Sequence, residues 1–455
     1  MKAETCKKFS FIVLVVCCIS LYLVLLNQIY DNDIFFEIAS GRDLLQGNFS
    51  TASHLSNLPV IVQQWLYSVC LAIAEKGGVI GITAFVVLQH IILCTLSSIF
   101  IYRKTKNIKY AIFGSFFTLV FCHNYMINAR PQIITVILLV AQLLLLDIYK
   151  EKNKIGYLFA IIPILLLEAN FHQAVFLYHL VVMIPFFIDK KENKYKTDWK
   201  LFAFVPLYLV CSLATPYGIN GSLYVFKTFG TDVYQQITIE ELEPIKILSY
   251  AGIKLILLVL ILLYTLYKRS IDKYTCFFII LLAGLSIMSV RNISIAFIPI
   301  MYILANIDLS KAKNMYVYGC LSLCCIGICL IKIATPNQLA EYFNPTEIIP
   351  DHNAKICNVD INSGGWLEYN DYVNVKYDCR TEIFTKELCG IDNYYTDYFI
   401  LKSGKDSNGN LVSNETVLNT ANKYDYIIVP KNSYVIRVID WTNVYENDNL
   451  IIYEK

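Results

Sequence analysis

Up to residue 333 the chain is a succession of apolar runs separated by short polar segments. The runs fall at 11–26, 79–101, 110–123, 132–149, 156–169, 173–188, 201–215, 251–267, 274–290, 292–306 and 315–333. A straight membrane-crossing helix needs about 20 apolar residues, so this pattern predicts an α-helical polytopic membrane protein with about eleven spans. Several runs are shorter than that length, and their polar flanks are then expected at membrane depth. Met1 to Ser10 is basic and precedes the first run, as in a signal peptide, but no small-residue cleavage site follows, so the run reads as a retained first helix.

Beyond residue 333 the pattern changes. Apolar runs shorten while Asn, Asp, Tyr and Lys become frequent. Ile356 to Asp360, Val373 to Tyr377, Tyr426 to Val429 and Leu450 to Tyr453 read as strands, and Gly364 to Tyr369 and Asn414 to Lys423 read as helical. The expected organisation is a transmembrane domain over 1–333 and a small soluble α/β domain over 334–455.

Composition supports lipid as the solvent of the first part. The chain is 56% hydrophobic and only 16% charged, against about 25% charged residues in soluble domains. A net charge of +2 gives no reason to expect a nucleic-acid partner. Most of the cysteines lie in apolar runs as small hydrophobes. Cys357, Cys379 and Cys389 in the tail show neither CxxC spacing nor an even count, which argues against a disulfide framework or a zinc site.

The distribution of charge orients the chain. The N-terminus and the segments at 103–106, 150–154, 190–200, 268–269 and 311–313 are basic. Together they hold roughly twenty Lys and Arg, against about six in the intervening loops, and basic loops stay in the cytoplasm. The N-terminus is therefore expected inside, and with an odd number of spans residues 334–455 lie outside. The expected location is a bacterial plasma membrane, crossed many times, with the tail extracytoplasmic.

On that reading the outward segments carry the polar chemistry. The first, from about Asn27 to Gly78, opens with Asp31, Asp33 and Glu37 and later holds Gln64 and Trp65. The second holds His123, Asn124, Asn128 and Arg130, and the third runs from Glu168 through Asn170 to His172. The fourth starts at Thr215 to Gly218, with Tyr217, and includes Glu240, Glu241 and Glu243; the fifth is Arg291-Asn292. Ionisable groups at membrane depth are costly, so each is a functional candidate. Each also has a structural counterpart. Asp31 and Asp33 would serve as helix caps, Arg130 and Arg291 as interface anchors, and His123 and His172 as hydrogen-bonded packing.

Two acids at i and i+2 suit a general base, or ligands for a divalent cation such as Mg2+ or Mn2+. Arginines at the outer boundary suit the phosphate of a lipid carrier, because the guanidinium fork matches phosphate geometry. Trp65 and the tyrosines offer amphipathic surface for sugar rings.

The order of these residues resembles the GT-C superfamily of integral-membrane glycosyltransferases, and within it an uncharacterised bacterial group. The similar elements are Asp31 to Gly41, Gln64-Trp65-Leu66, Arg130-Pro131-Gln132, Asn170-Phe171-His172 and Thr215 to Gly218. They continue with Glu241 to Pro244, Arg291, Gly364 to Leu367 and Asp378 to Glu382. The resemblance implies sugar transfer from a polyprenyl-phosphate donor to an extracytoplasmic glycan, lipid or protein acceptor. It implies Asp31 or Asp33 as catalytic base or metal ligand and Arg130 and Arg291 as phosphate contacts. Trp65, His123, Asn170, His172, Tyr217 and Glu241 would contact substrate. The chain departs from the group at Gln64, where a Glu is usual, and at Leu242, where a Trp is usual. Two other classes fit less of the pattern: a transporter or flippase for a lipid-linked glycan, which would predict an internal repeat that is not seen, and a non-catalytic membrane scaffold. Asp378 and Arg380 read better as a structural ion pair than as glycan contacts.

Overall fold

The computed structural model describes residues 12–13, 15–23, 32–122, 128–191, 194–228, 244–249, 252–256, 259–260, 263, 279–285, 290–306, 326 and 343–455. The described chain is mostly helical and divides into two compact units. The first comprises Met1–Ile29, Ile80–Thr215 and Ile239–Asn337; the second comprises Tyr30–Val79, Pro216–Thr238 and Gln338–Lys455. The expected boundary near residue 333 thus separates the tail from the late apolar runs. Two earlier segments, however, are built into the same unit as the tail.

In the first unit, two helices among the described residues are long and apolar enough to cross a membrane. They are Gly78–Thr105, with 28 residues, and Gln132–Lys152, with 21. Only 28% of the most apolar stretch of the former is buried, against 72% in the latter. Leu88, Ile91, Ile92 and Ile99 are exposed along one side of the first of these helices, which is the surface a lipid-facing helix presents. Its cytoplasm-assigned end is basic: Arg103 bonds Asp147 at 3.4 Å and Glu151 at 2.5 Å, and Lys104 also pairs with Asp147.

Other predicted spans are shorter or broken. Ile108–Phe121 has 14 residues and starts at Asn107, whose side chain accepts from the Tyr110 amide. The run at 156–169 is two pieces, Gly156–Phe159 and Ile161–Phe171. Pro163 lacks the amide that would bond Phe159, which accounts for the break. The run expected at 173–188 forms only short turns, Gln173–Val175, Tyr178–Val181 and Ile184–Phe186, with Pro185 inside the last of them. The run at 201–215 appears as Trp199–Cys211, with Pro206 inside it. Most of the runs at 251–267, 274–290 and 315–333 lie outside the described residues.

The second unit is built on a four-stranded mixed sheet. Ile356–Asn358 pairs in parallel with Tyr426–Pro430, which pairs antiparallel with Leu450–Glu454, itself antiparallel to Thr442–Glu446. The strand expected at 373–377 reduces to single bridges, Ile356 with Val375 and Leu55 with Asn374. Thr442–Glu446 and the helix Thr396–Ser403 were not foreseen. Residues of the first loop share the core: Leu44, Leu55, Leu58, Val60 and Val62 are buried with Ile356, Leu367, Ile427 and Ile452. Inside this unit the helix Asp33–Leu45 packs against Trp65–Glu75 and against Asn362–Tyr369. Close approach dictates a glycine where Asp33–Leu45 meets Trp65–Glu75, and another where Asn362–Tyr369 meets the chain at Tyr377. A β-carbon on Gly41 would stand 2.1 Å from the Ser68 carbonyl oxygen, and one on Gly364 would stand 2.0 Å from that of Tyr377. Phe35 completes the packing, edge-on to Trp366 at 4.8 Å.

Candidate functional site

The candidates divide between the two units. In the second unit they gather around Arg380. The segment Asp378-Cys379-Arg380 follows a chain bend, and the Arg380 side chain turns back to bond Asp378 through Nε at 2.7 Å and also through Nη2. The Arg380 amide donates to the other Asp378 oxygen at 2.7 Å. Nη1 donates to Ser40 Oγ at 3.0 Å, Nη2 reaches Glu368 Oε2 at 3.4 Å, and the guanidinium lies 4.8 Å from the centre of the Phe36 ring. The Asp378–Arg380 pair is therefore the structural ion pair anticipated, and it ties the tail to the first-loop helix.

Glu37 lies on the same helix as Ser40 and is 4% exposed. Its carboxylate accepts from Gln64 Nε2 and Ser68 Oγ. This gives the departure at Gln64 a physical reason, since a glutamate there would face Glu37 with like charge. Asp43, one helical turn beyond Ser40, accepts from Ser53 Oγ at 2.5 Å and from the Ser53 amide at 3.0 Å.

The electrostatics follow from packing several acids around one guanidinium. Burial, and then the charge of Asp378, push the Glu368 carboxyl well above the usual carboxylate range, against the pull of Arg380. For Arg380, burial opposes the charge, but Asp378 and Glu368 outweigh it and raise its pKa. Burial first, then Asp33, Asp378, Asp360 and Glu368, hold the Cys379 thiol well above its ordinary value. Asp33 therefore acts on the same neighbourhood as the Asp378–Arg380 pair. It is half-buried and opens the Asp33–Leu45 helix after Asn32, where an acid favours the helix dipole.

Trp65, also in this unit, is half-buried and edge-on to Phe49 at 5.9 Å. Tyr217 packs against the core of the unit, and burial raises its hydroxyl to about 12. Both contribute to packing.

In the first unit, Arg130 is 7% exposed, in the turn before Gln132–Lys152. Asn170 Nδ2 donates to the carbonyls of Leu166 at 2.7 Å and Ala214 at 2.9 Å. His172 is 4% exposed, with Nδ1 2.8 Å from Thr135 Oγ1, which also bonds Glu168 Oε1 at 2.7 Å. Glu168 Oε2 lies 3.3 Å from His179 Nε2, and both side chains are fully buried. Glu168 stood in the outward segment of the sequence, but its partners His179 and Thr135 were missed. Their signal was polarity inside apolar runs, which is weak because such residues commonly satisfy backbone groups instead.

Arg291 lies in the 3-10 segment Val290–Ala296. Asp31, His123 and Glu241 lie outside the described residues. Among the described residues no three His, Cys, Asp or Glu side chains converge to hold a metal ion.

No family model matches the chain, and no curated protein matches it.

Proposed function

We propose that the chain is a GT-C-like glycosyltransferase of a bacterial plasma membrane, with about eleven spans, that moves a sugar from a polyprenyl-phosphate donor to an extracytoplasmic acceptor. The observation that carries this reading is the make-up of the second unit. Its segments, Tyr30–Val79, Pro216–Thr238 and Gln338–Lys455, are the long segments that the charge bias assigns to the outer side. The basic segments at 103–106, 150–154, 190–200, 268–269 and 311–313 belong without exception to the first unit. The three long outward segments thus gather in one unit and the basic segments in the other, while the short outward turns stay with the basic segments.

In this reading Asp33, at the half-exposed start of its helix, removes the proton of the acceptor hydroxyl, with Asp31 as the other candidate base. The acceptor oxygen then bonds the anomeric carbon of the sugar, and the carrier phosphate, held by Arg130 and Arg291, leaves with the electrons of the sugar–oxygen bond that breaks. Glu37 is not assigned the base role, because Gln64 and Ser68 already occupy both of its oxygens.

The test is sugar transfer by the full chain in lipid, offered a panel of polyprenyl-phosphate sugars, with Asp31→Asn and Asp33→Asn beside wild type. Carrier-phosphate release that either substitution lowers by a factor of about 100 or more, the usual acid–base contribution, is the expected result. Turnover unaffected by both substitutions would remove the assignment. One observation favours the transporter reading instead: Glu168, His172 and His179 form a buried carboxylate–imidazole string of the kind proton-coupled carriers use. Lipid flipping without sugar transfer in the same vesicles would select it.

A further inference from the structure

In the first unit, Thr135 and Gln142 lie on the helix Gln132–Lys152, seven residues and so about two turns apart on one face. Glu168 belongs to Ile161–Phe171 and His179 to Tyr178–Val181. The hydrogen bonds among them fix where hydrogens must be.

Gln142 Nε2 donates to the His179 carbonyl oxygen at 3.0 Å, so its Oε1 is the atom facing His179 Nδ1, at 2.5 Å. An amide oxygen only accepts, hence Nδ1 carries a hydrogen. The other ring nitrogen, Nε2, lies 3.3 Å from Glu168 Oε2. Among the described residues neither of these two atoms has a hydrogen-bond partner. A neutral ring with hydrogen on Nδ1, beside an ionised Glu168, would set two lone pairs against each other between two fully buried side chains. One proton must therefore lie in this contact, on the ring or on the acid.

Thr135 extends the argument to His172. Its single hydroxyl hydrogen goes to Glu168 Oε1 at 2.7 Å, so its oxygen accepts from His172 Nδ1 at 2.8 Å. In a neutral His172 that hydrogen on Nδ1 leaves the lone pair on Nε2.

We infer that Glu168 and His179 hold one proton between them, and that Thr135 links this store to His172 as a proton-exchange site within the helical unit. The inference stands apart from sugar transfer. Uptake of a proton at His172 Nε2 moves the Nδ1 proton to Thr135 Oγ1 and the Thr135 proton to Glu168 Oε1. Any proton on Oε2 passes to His179 Nε2. The end state is the same wherever the stored proton began: Glu168 is a neutral acid, His179 carries hydrogen on both nitrogens, and the string has gained one proton. Gln142 holds the His179 ring throughout.

The test uses the full chain in lipid nanodiscs, with 15N-labelled histidine and signals assigned through His172→Gln and His179→Gln. The infrared carboxylic-acid band is read alongside. Glu168→Gln is the informative variant, because its amide can donate to His179 Nε2 and accept from Thr135, and the fold is kept. The expected result is His172 protonated at Nδ1 and, for His179, one of two patterns. Either both nitrogens are protonated, or Nδ1 alone is protonated beside an acid band that Glu168→Gln abolishes. Thr135→Val should release His172 from its Nδ1-protonated form while leaving His179 unchanged. A bare Nδ1 on His179, or a singly protonated His179 beside an ionised Glu168, overturns the store. A His172 signal indifferent to Thr135→Val overturns the link.

Discussion

The two units bury charge in different ways. In the second, Glu37, Asp43, Glu368 and Asp378 are buried near a guanidinium, and each has a fixed donor, from Arg380, Gln64, Ser68 or Ser53 among them. In the first, the partner of Glu168 is an imidazole. A guanidinium keeps its proton at any physiological pH, so its cluster is a tie between chain segments. An imidazole gives and takes a proton in that range, so its contact has two arrangements of one hydrogen. A buried charge therefore says little about function until its partner is known.

Substitution at the two centres should break this comparison most visibly. Arg380→Met strips the second unit of the cation among its acids, and losing one partner of a buried pair costs about 3–5 kcal/mol. Chemical unfolding of the purified chain should show that loss, whereas Glu168→Gln should cost about 1 kcal/mol or less, because its hydrogen bonds can be remade. Equal losses would erase the distinction.

A smaller effect is expected at Gly364, which sharpens the role of packing in the Arg380 cluster. A β-carbon there meets Tyr377 O at 2.0 Å and Asp378 Cα at 2.8 Å. Gly364→Ala should cost about 1–3 kcal/mol, as overpacked sites do, and should shift Asp378 from Arg380. Unfolding midpoints of Gly364→Ala and the double variant with Arg380→Met check this, because the two losses should add to less than their sum if they share the cluster.

Acid dependence should separate the units further. The Glu368 pKa is raised in the folded chain, so the folded state binds the proton more tightly than the unfolded one. The stability this contributes is fully present below the unfolded value of about 4.3 and is lost as pH rises toward the folded value. Glu368→Gln should flatten that part of the stability–pH curve. A wild-type curve that rises through the same window and is unchanged in Glu368→Gln would contradict the assignment. At the small end, Lys386 and Asp392 pair at 2.7 Å with both side chains well exposed, and Asp392→Asn should leave the unfolding midpoint unchanged.

Much of this architecture was legible in the sequence for identifiable reasons. The runs at 79–101 and 132–149 became the long helices because nothing within them opposes a helix. The runs at 156–169 and 173–188 did not, because Pro163 and Pro185 remove amides that periodicity ignores. The glycines quoted at Gly41 and Gly364 proved to be close contacts, and Asp378 and Arg380, read as an ion pair in preference to glycan contacts, are bonded to each other. What the sequence hid were partnerships across long separations. Ser40 with Arg380 is one, at 340 residues apart, and Glu37 with Gln64 is another. Local pattern carries no information about which distant side chain will face a given one. The same limit hid Thr135, Gln142 and His179, each an ordinary polar residue in an apolar run.

The central claim is that the second unit lies outside the cell, and sided thiol labelling tests it most directly. Asn408, in an exposed turn of the second unit, and Lys154, in a basic loop of the first, are both exposed. Cells expressing Asn408→Cys or Lys154→Cys would be treated with a membrane-impermeant maleimide, with the wild-type chain as background. The account predicts labelling of Asn408→Cys in intact cells and of Lys154→Cys only after permeabilisation. The reverse pattern, or equal labelling of both in intact cells, would contradict it.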